Sequence, residues 1–256
     1  MNILSLCDGM SCGQIALVEL GIKIDNYYAS EIKNIAIEAT QHNFPNTIQI
    51  GDVNNVTYSN GVLKTEKGDF NISFDLVIFG SPCQSFSSMM KKEMRIGLKD
   101  KIRSGLFYEC YRILKEVKPK YFLMENVVMN KEERNEISKL LKVKPIRINS
   151  SLVSAQTRDR LYWTNIPNVS IPQDKHIILN DILDSGYSNK TKSGCLLVSD
   201  SRPLKSTKKM IHRYFGVGMT TLIFESKENY ENIKREFERI LGGGSLFCKI
   251  LGFSRF

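Results

Sequence analysis

The tetrapeptide Ser81-Pro82-Cys83-Gln84 follows directly on the apolar run Asp75-Leu76-Val77-Ile78-Phe79-Gly80. A cysteine on a turn at the end of a buried strand is displayed at the sheet edge, where α/β enzymes keep their reactive groups. Cys83 is therefore a candidate nucleophile. A lone cysteine is more often a buried apolar thiol, so the reading depends on what else stands at neighbouring strand ends. Glu125-Asn126-Val127 supplies an acid and an amide, and Gln156-Thr157-Arg158-Asp159-Arg160 supplies two cations. Arg158 and Arg160 alternate and are expected on one face of a strand. Residues 85–104 carry six basic side chains against Glu93 and Asp100, enough for a loop that meets phosphates or simply faces water.

A second constellation reads as a cofactor cradle. The loop Cys7-Asp8-Gly9-Met10-Ser11-Cys12-Gly13 is built of small residues and opens a helix. Such a loop lets a ligand approach the backbone beside free N–H groups. Glu31 follows about 20 residues on, the spacing at which a carboxylate meets ribose hydroxyls. Asp52, in Gly51-Asp52-Val53, follows the next short strand and could accept from an adenine amino group. Taken singly, these acids are ordinary helix caps. The loop lacks the full Gly-x-Gly-x-x-Gly, which favours S-adenosylmethionine over a dinucleotide, because that cofactor has no pyrophosphate needing close glycine contact.

These groups must be held by regular elements. Strands are expected at residues 2–6, 24–29, 74–79, 121–124, 147–152 and 161–164. Helices are expected at 13–20, 32–42, 106–117 and 132–141. The 106–117 helix should bury Leu106, Cys110, Ile113, Leu114 and Val117. Such alternation implies a mainly parallel sheet covered on both faces, with ligands outside the carboxyl ends of its strands. Beyond Pro172 the pattern degrades until a helix at 227–241, so residues 1–170 form the expected catalytic domain and 171–256 a small irregular C-terminal region.

The formal charge of +9, from 36 Lys+Arg against 27 Asp+Glu, suggests a polyanionic partner, or a lysine-rich surface set by genome composition. No apolar run approaches the ~20 residues of a membrane span. The opening residues read as a strand rather than a signal peptide, since Asp8 interrupts them. The six cysteines show no Cys-x-x-Cys pair, and His42, His176 and His212 show no metal spacing, which fits a reduced, cytoplasmic setting.

Taken in order, Leu-Ser-Leu-x-Asp-Gly, Ala-Ser-Glu, Gly-Asp-Val, Gly-Ser-Pro-Cys and Glu-Asn-Val-Val resemble the DNA (cytosine-5)-methyltransferases, in wording closest to the catalytic domain of the vertebrate de novo enzymes. The resemblance covers roughly residues 1–167. It implies a Rossmann-like S-adenosylmethionine-dependent methyltransferase, bacterial or phage-borne, of the kind that accompanies a restriction enzyme. Cys83 would add to C6 of a flipped cytosine in duplex DNA, and Glu125 would assist at N3. Asn126 would buttress that acid, while Arg158 and Arg160 orient the base and the carboxylate. Cofactor contacts are assigned to Asp8, Gly9, Met10, Ser11, Cys12, Glu31, Ile32, Asp52, Val53, Pro82 and Leu106. The basic stretch 202–213, with Tyr214 and Phe215, falls where target recognition is expected. The family's closing Gly-Asn-x-Val/Trp-type segment is not found, which leaves a divergent C-terminus, a truncated product, or one half of a split enzyme completed by a second chain. A tRNA cytosine-C5 methyltransferase of the same fold and a silent DNA-binding subunit are the alternatives.

Overall fold

The structure, a computed structural model, describes residues 1–82, 98, 105–195, 207–217 and 221–242. Cys83, all but one residue of the basic 85–104 segment, residues 202–206 and Cys248 lie outside the described residues. The chain divides into two compact units. The first is Met1–Ile148 with Asp159–Ile171, and the second Asn149–Arg158 with Pro172–Phe256.

The first unit begins β1 (Asn2–Leu6), α1 (Cys12–Glu19), β2 (Asn26–Ser30), α2 (Asn34–Asn43) and β3 (Ile48–Gln49). Three short strands follow: β4 (Thr57–Ser59), β5 (Val62–Thr65) and β6 (Gly68–Asn71). Then come β7 (Leu76–Phe79), α3 (Leu106–Val117), β8 (Tyr121–Val127), α4 (Lys131–Leu141), β9 (Ile146–Asn149) and β10 (Asp159–Thr164). Seven strands form one sheet in the order β3-β2-β1-β7-β8-β10-β9. The five from β3 to β8 run parallel, and β10 lies antiparallel to β8, pairing Arg160 with Val127 and Tyr162 with Glu125. Chain order reverses between β1 and β7, which makes their carboxyl ends the crevice of an open α/β sheet.

Central strands of such a sheet are apolar on both sides. In β1, Leu4 and Leu6 enter the larger core with Val77, Phe79, Phe107 and Ile113, while Ile3 enters a smaller one with Leu17, Tyr27 and Leu76. Gly13 lets α1 approach β7 closely, because a Cβ there would stand 3.1 Å from the Ile78 Cδ1 methyl.

Helix α3 spans the expected residues, but Phe107 rather than Leu106 is buried in its stripe. Leu106 is half-buried instead. The small antiparallel sheet β4-β5-β6 has no counterpart in the sequence reading. Strand β8 continues three residues past its expected end, carrying Glu125 and Asn126 within the sheet.

In the second unit, α5 (Thr207–His212) and α6 (Lys227–Gly242) accompany an aromatic cluster in which Tyr214, Phe224 and Tyr230 are buried. Tyr214 and Phe215 are thus packed against other rings. Among the described residues no helix is long and apolar enough to cross a membrane.

Candidate active site

The carboxyl end of β1 turns sharply. Cys7, Gly9 and Ser11 all have positive φ (54°, 64° and 56°), an uncommon conformation for the two that carry a Cβ. The side chain of Asp8 holds this turn together. Its Oδ1 accepts from Ser5 Oγ at 2.5 Å and from Tyr27 Oη at 2.8 Å, and its Oδ2 accepts from Ser11 Oγ. Burial raises the Asp8 carboxyl above the ordinary carboxylate range, and the three hydroxyl donors only partly offset it. The Tyr27 phenol is raised too, first by burial and then by the Asp8 charge. Both Asp8 oxygens are engaged by these hydroxyls and Ser11 is fully buried, so the two residues fix the shape of the loop.

Glu31, just past β2, fastens the loop from the other side. Its Oε2 accepts from the Gly9 N–H at 2.8 Å, and its Oε1 from the N–H groups of Ile32 and Lys33 at 2.8 and 2.9 Å. Past β3, Asp52 caps a short 3₁₀ turn, its Oδ1 accepting from the Asn54 backbone and side chain. Gly51 adopts φ +85°, and its carbonyl accepts from Ser30 Oγ at 2.8 Å. Glu66, from the turn between β5 and β6, reaches back to this wall. It accepts from the Asp52 N–H at 3.4 Å and from the Asn55 side-chain amide.

A cleft of about 320 Å³ opens between these strand ends, lined by Cys7, Gly9, Ser30, Glu31, Ile32, Lys33, Asp52, Val53, Gly80, Pro82 and Leu106. Of the eleven residues assigned to the cofactor, this wall contains Gly9, Glu31, Ile32, Asp52, Val53, Pro82 and Leu106, but not Asp8, Met10, Ser11 or Cys12. Met10 and Cys12 are exposed. Sequence reasoning assigned no cofactor contact to Cys7, Ser30, Lys33 or Gly80. The last is signalled by Gly-Ser-Pro-Cys, whereas nothing local marks Cys7 or Glu66.

At the next strand ends, Gly80 lies beside Glu125, so that a Cβ on Gly80 would stand 3.4 Å from Glu125 Oε2. Glu125 Oε1 meets Arg160 Nε at 2.7 Å, and the arginine side chain is only 15% exposed. Asn126 is buried. Its Nδ2 donates to Ser81 Oγ at 3.2 Å and to the Ser81 carbonyl at 3.3 Å. That amide ties β8 to the residue two before Cys83. Arg158 precedes β10 instead of sharing its face with Arg160, and belongs to the second unit. Its N–H donates to Asn149 Oδ1 at 3.1 Å.

A doubly wound, mostly parallel sheet with an acid-lined cleft at its switch point is the architecture of the Rossmann-like methyltransferases. The C-5 cytosine-specific DNA methylase profile matches residues 1–240, and the chain belongs to that family. It is 30% identical over 186 residues to the type II methyltransferase M.NgoBV of Neisseria gonorrhoeae, covering 64% of this chain and 41% of that protein. It is 29% identical over 202 residues to the orphan methyltransferase M.Rho11sI of Bacillus phage rho11s, covering 73% and 37%. The chain thus spans less than half the length of either relative. A solved E. coli structure, described as a DNA modification methyltransferase encoded within a prophage, superposes with a TM-score of 0.51 at 22% identity. It covers 74% of this chain and 58% of that one, a likeness of fold.

Proposed function

We propose that this chain transfers a methyl group from S-adenosylmethionine to C5 of cytosine in duplex DNA, through a covalent adduct on Cys83. The observation that carries the reading is the Glu125–Arg160 pair beside Gly80, at the strand ends that lead into Ser81-Pro82-Cys83. The acid-lined cleft adjoins the same turn, since Gly80 and Pro82 lie in its wall.

The cleft suits the cofactor by chemistry. Glu31 and Asp52 offer carboxylates to hydroxyl and amino groups, and Ile32, Val53, Pro82 and Leu106 offer apolar surface to a purine. When bound, S-adenosylmethionine supplies an electrophilic methyl carbon for C5. Cytosine C5 is a poor nucleophile until C6 is attacked, so the Cys83 thiolate forms the Sγ–C6 bond and drives the ring electrons toward C5. Glu125 protonates or hydrogen-bonds N3, which accepts the displaced density, and Arg160 fixes that carboxyl in place. Asn126 holds Ser81 and so the turn that presents the thiol. Arg158 orients the base, which must leave the duplex stack to react. Once C5 carries the methyl group, water takes the C5 proton, the C5–H electron pair forms the C5=C6 bond, and the Sγ–C6 bond breaks with its electrons returning to the Cys83 thiolate.

Incubation with radiolabelled methyl donor and either duplex DNA or tRNA tests this reading. The expected result is label in DNA and its loss in Cys83→Ala. Label in tRNA alone would assign the chain to RNA, and label in neither would point to a non-catalytic or split subunit.

A further inference from the structure

Lys192, in the second unit, is half-buried in an unusual setting for a cation. Its Nζ donates to three backbone carbonyls: Ser151 at 2.6 Å, Ser154 at 3.0 Å and Ile177 at 2.5 Å. An ammonium has three N–H donors, and this cage engages all of them. Three carbonyl dipoles converging on one point repel one another, and an ammonium that donates to all three offsets that repulsion. The ammonium therefore belongs to the construction of this region rather than to its surface.

Two of the three carbonyls belong to the turn between Asn149 and Arg158. That turn closes on itself where the Ser150 N–H donates to the Arg158 carbonyl at 3.0 Å and Ser150 Oγ donates to the Gln156 carbonyl at 2.8 Å. The neighbour of Lys192 grips its other limb. The Thr157 N–H donates to the Ser193 carbonyl at 2.8 Å, and the Ser193 N–H donates to the Ala155 carbonyl at 2.7 Å. Lys192 and Ser193 thus clamp both limbs of the turn that ends in Gln156-Thr157-Arg158.

We infer that Lys192 is a positioning residue: its ammonium pins the 150–158 turn and so sets Arg158 for the target base. The link to Arg158 rests on the role proposed for that arginine above. Lys192 acts through the backbone, by removing the freedom of the turn before substrate arrives.

Three forms of the full chain test this: wild type, Lys192→Met, which keeps length without donors, and Lys192→Arg, which keeps donors. The first readout needs no activity. Amide hydrogen exchange at Ser150, Thr157 and Ser193 should speed up about tenfold or more in Lys192→Met and stay near wild type in Lys192→Arg. The second is steady-state methylation. kcat/KM for DNA should fall about ten- to hundredfold in Lys192→Met, while the same substitution added to Arg158→Ala should change it less than about twofold. Unchanged exchange in Lys192→Met overturns the pin. Equal activity losses in the two backgrounds overturn its action through Arg158. A wild-type chain that methylates nothing refutes the proposed function and that link together, while the exchange result still decides the pin. Should Lys192→Met fail to fold, Lys192→Gln, whose two amide N–H groups cannot satisfy three carbonyls, takes its place in both comparisons.

Discussion

Asp8 and Glu31 divide the work of the glycine loop in a way that their positions in the chain only half disclose. Glu31 was legible because strand ends and a spacing of about 20 residues mark it out. The inward role of Asp8 was not, because it depends on the β1–β2 register that brings Ser5 opposite Ala29 and Tyr27 opposite Ile3. Burial raises the Asp8 carboxyl above its ordinary value of 3.8, so the folded chain binds that proton more tightly than the unfolded chain. The stability it contributes is then present at low pH and lost as pH rises from 3.8 through the raised folded value. Asp8→Asn removes the titration. The stability of wild type relative to Asp8→Asn should therefore fall as pH rises from about 4 and level off above the folded value, as read from urea unfolding at a series of pH values. A relative stability that grew with pH would mean that the hydroxyl donors outweigh burial.

Helix α3 could be placed from sequence because its apolar stripe repeats over three turns and Pro119 closes it. Only the choice of Phe107 over Leu106 for the core needed the structure. The β4-β5-β6 sheet escaped because its strands are three or four residues long and largely exposed, with little periodicity to read. One signal was present: Asn60-Gly61, with φ of 51° and 79°, is a two-residue hairpin turn of the kind that joins paired strands. This element matters to the site because its next turn carries Glu66 to the N–H of Asp52, a residue of the cleft wall. Glu66→Ala should weaken S-adenosylmethionine binding by about three- to tenfold, the net scale of one ordinary hydrogen bond, with little change in thermal stability. Titration calorimetry measures this directly, and an unchanged affinity would reduce Glu66 to a surface contact.

At the scale of the whole molecule, the chain folds as two compact units and carries an excess of nine positive charges. Charge alone left nucleic acid and a lysine-rich surface equally open, and the proposed function makes DNA the polyanion to test. If the basic residues meet phosphates, log K for duplex binding should fall linearly with log salt, with a slope of about −3 or steeper. Fluorescence anisotropy across a salt series reads that slope, and a flat response would return the charge to the solvent. The central claim, that Cys83 attacks a flipped cytosine, is tested most directly by trapping. Duplex DNA carrying 5-fluorocytosine blocks loss of the C5 substituent, so a Cys83–C6 bond formed before methyl transfer cannot be released. With methyl donor present, wild type should yield a denaturation-resistant protein–DNA adduct whose crosslinked peptide contains Cys83, and Cys83→Ala should yield none. An adduct that persists in Cys83→Ala, or label delivered to ordinary DNA without any adduct on the fluorinated duplex, would contradict the account.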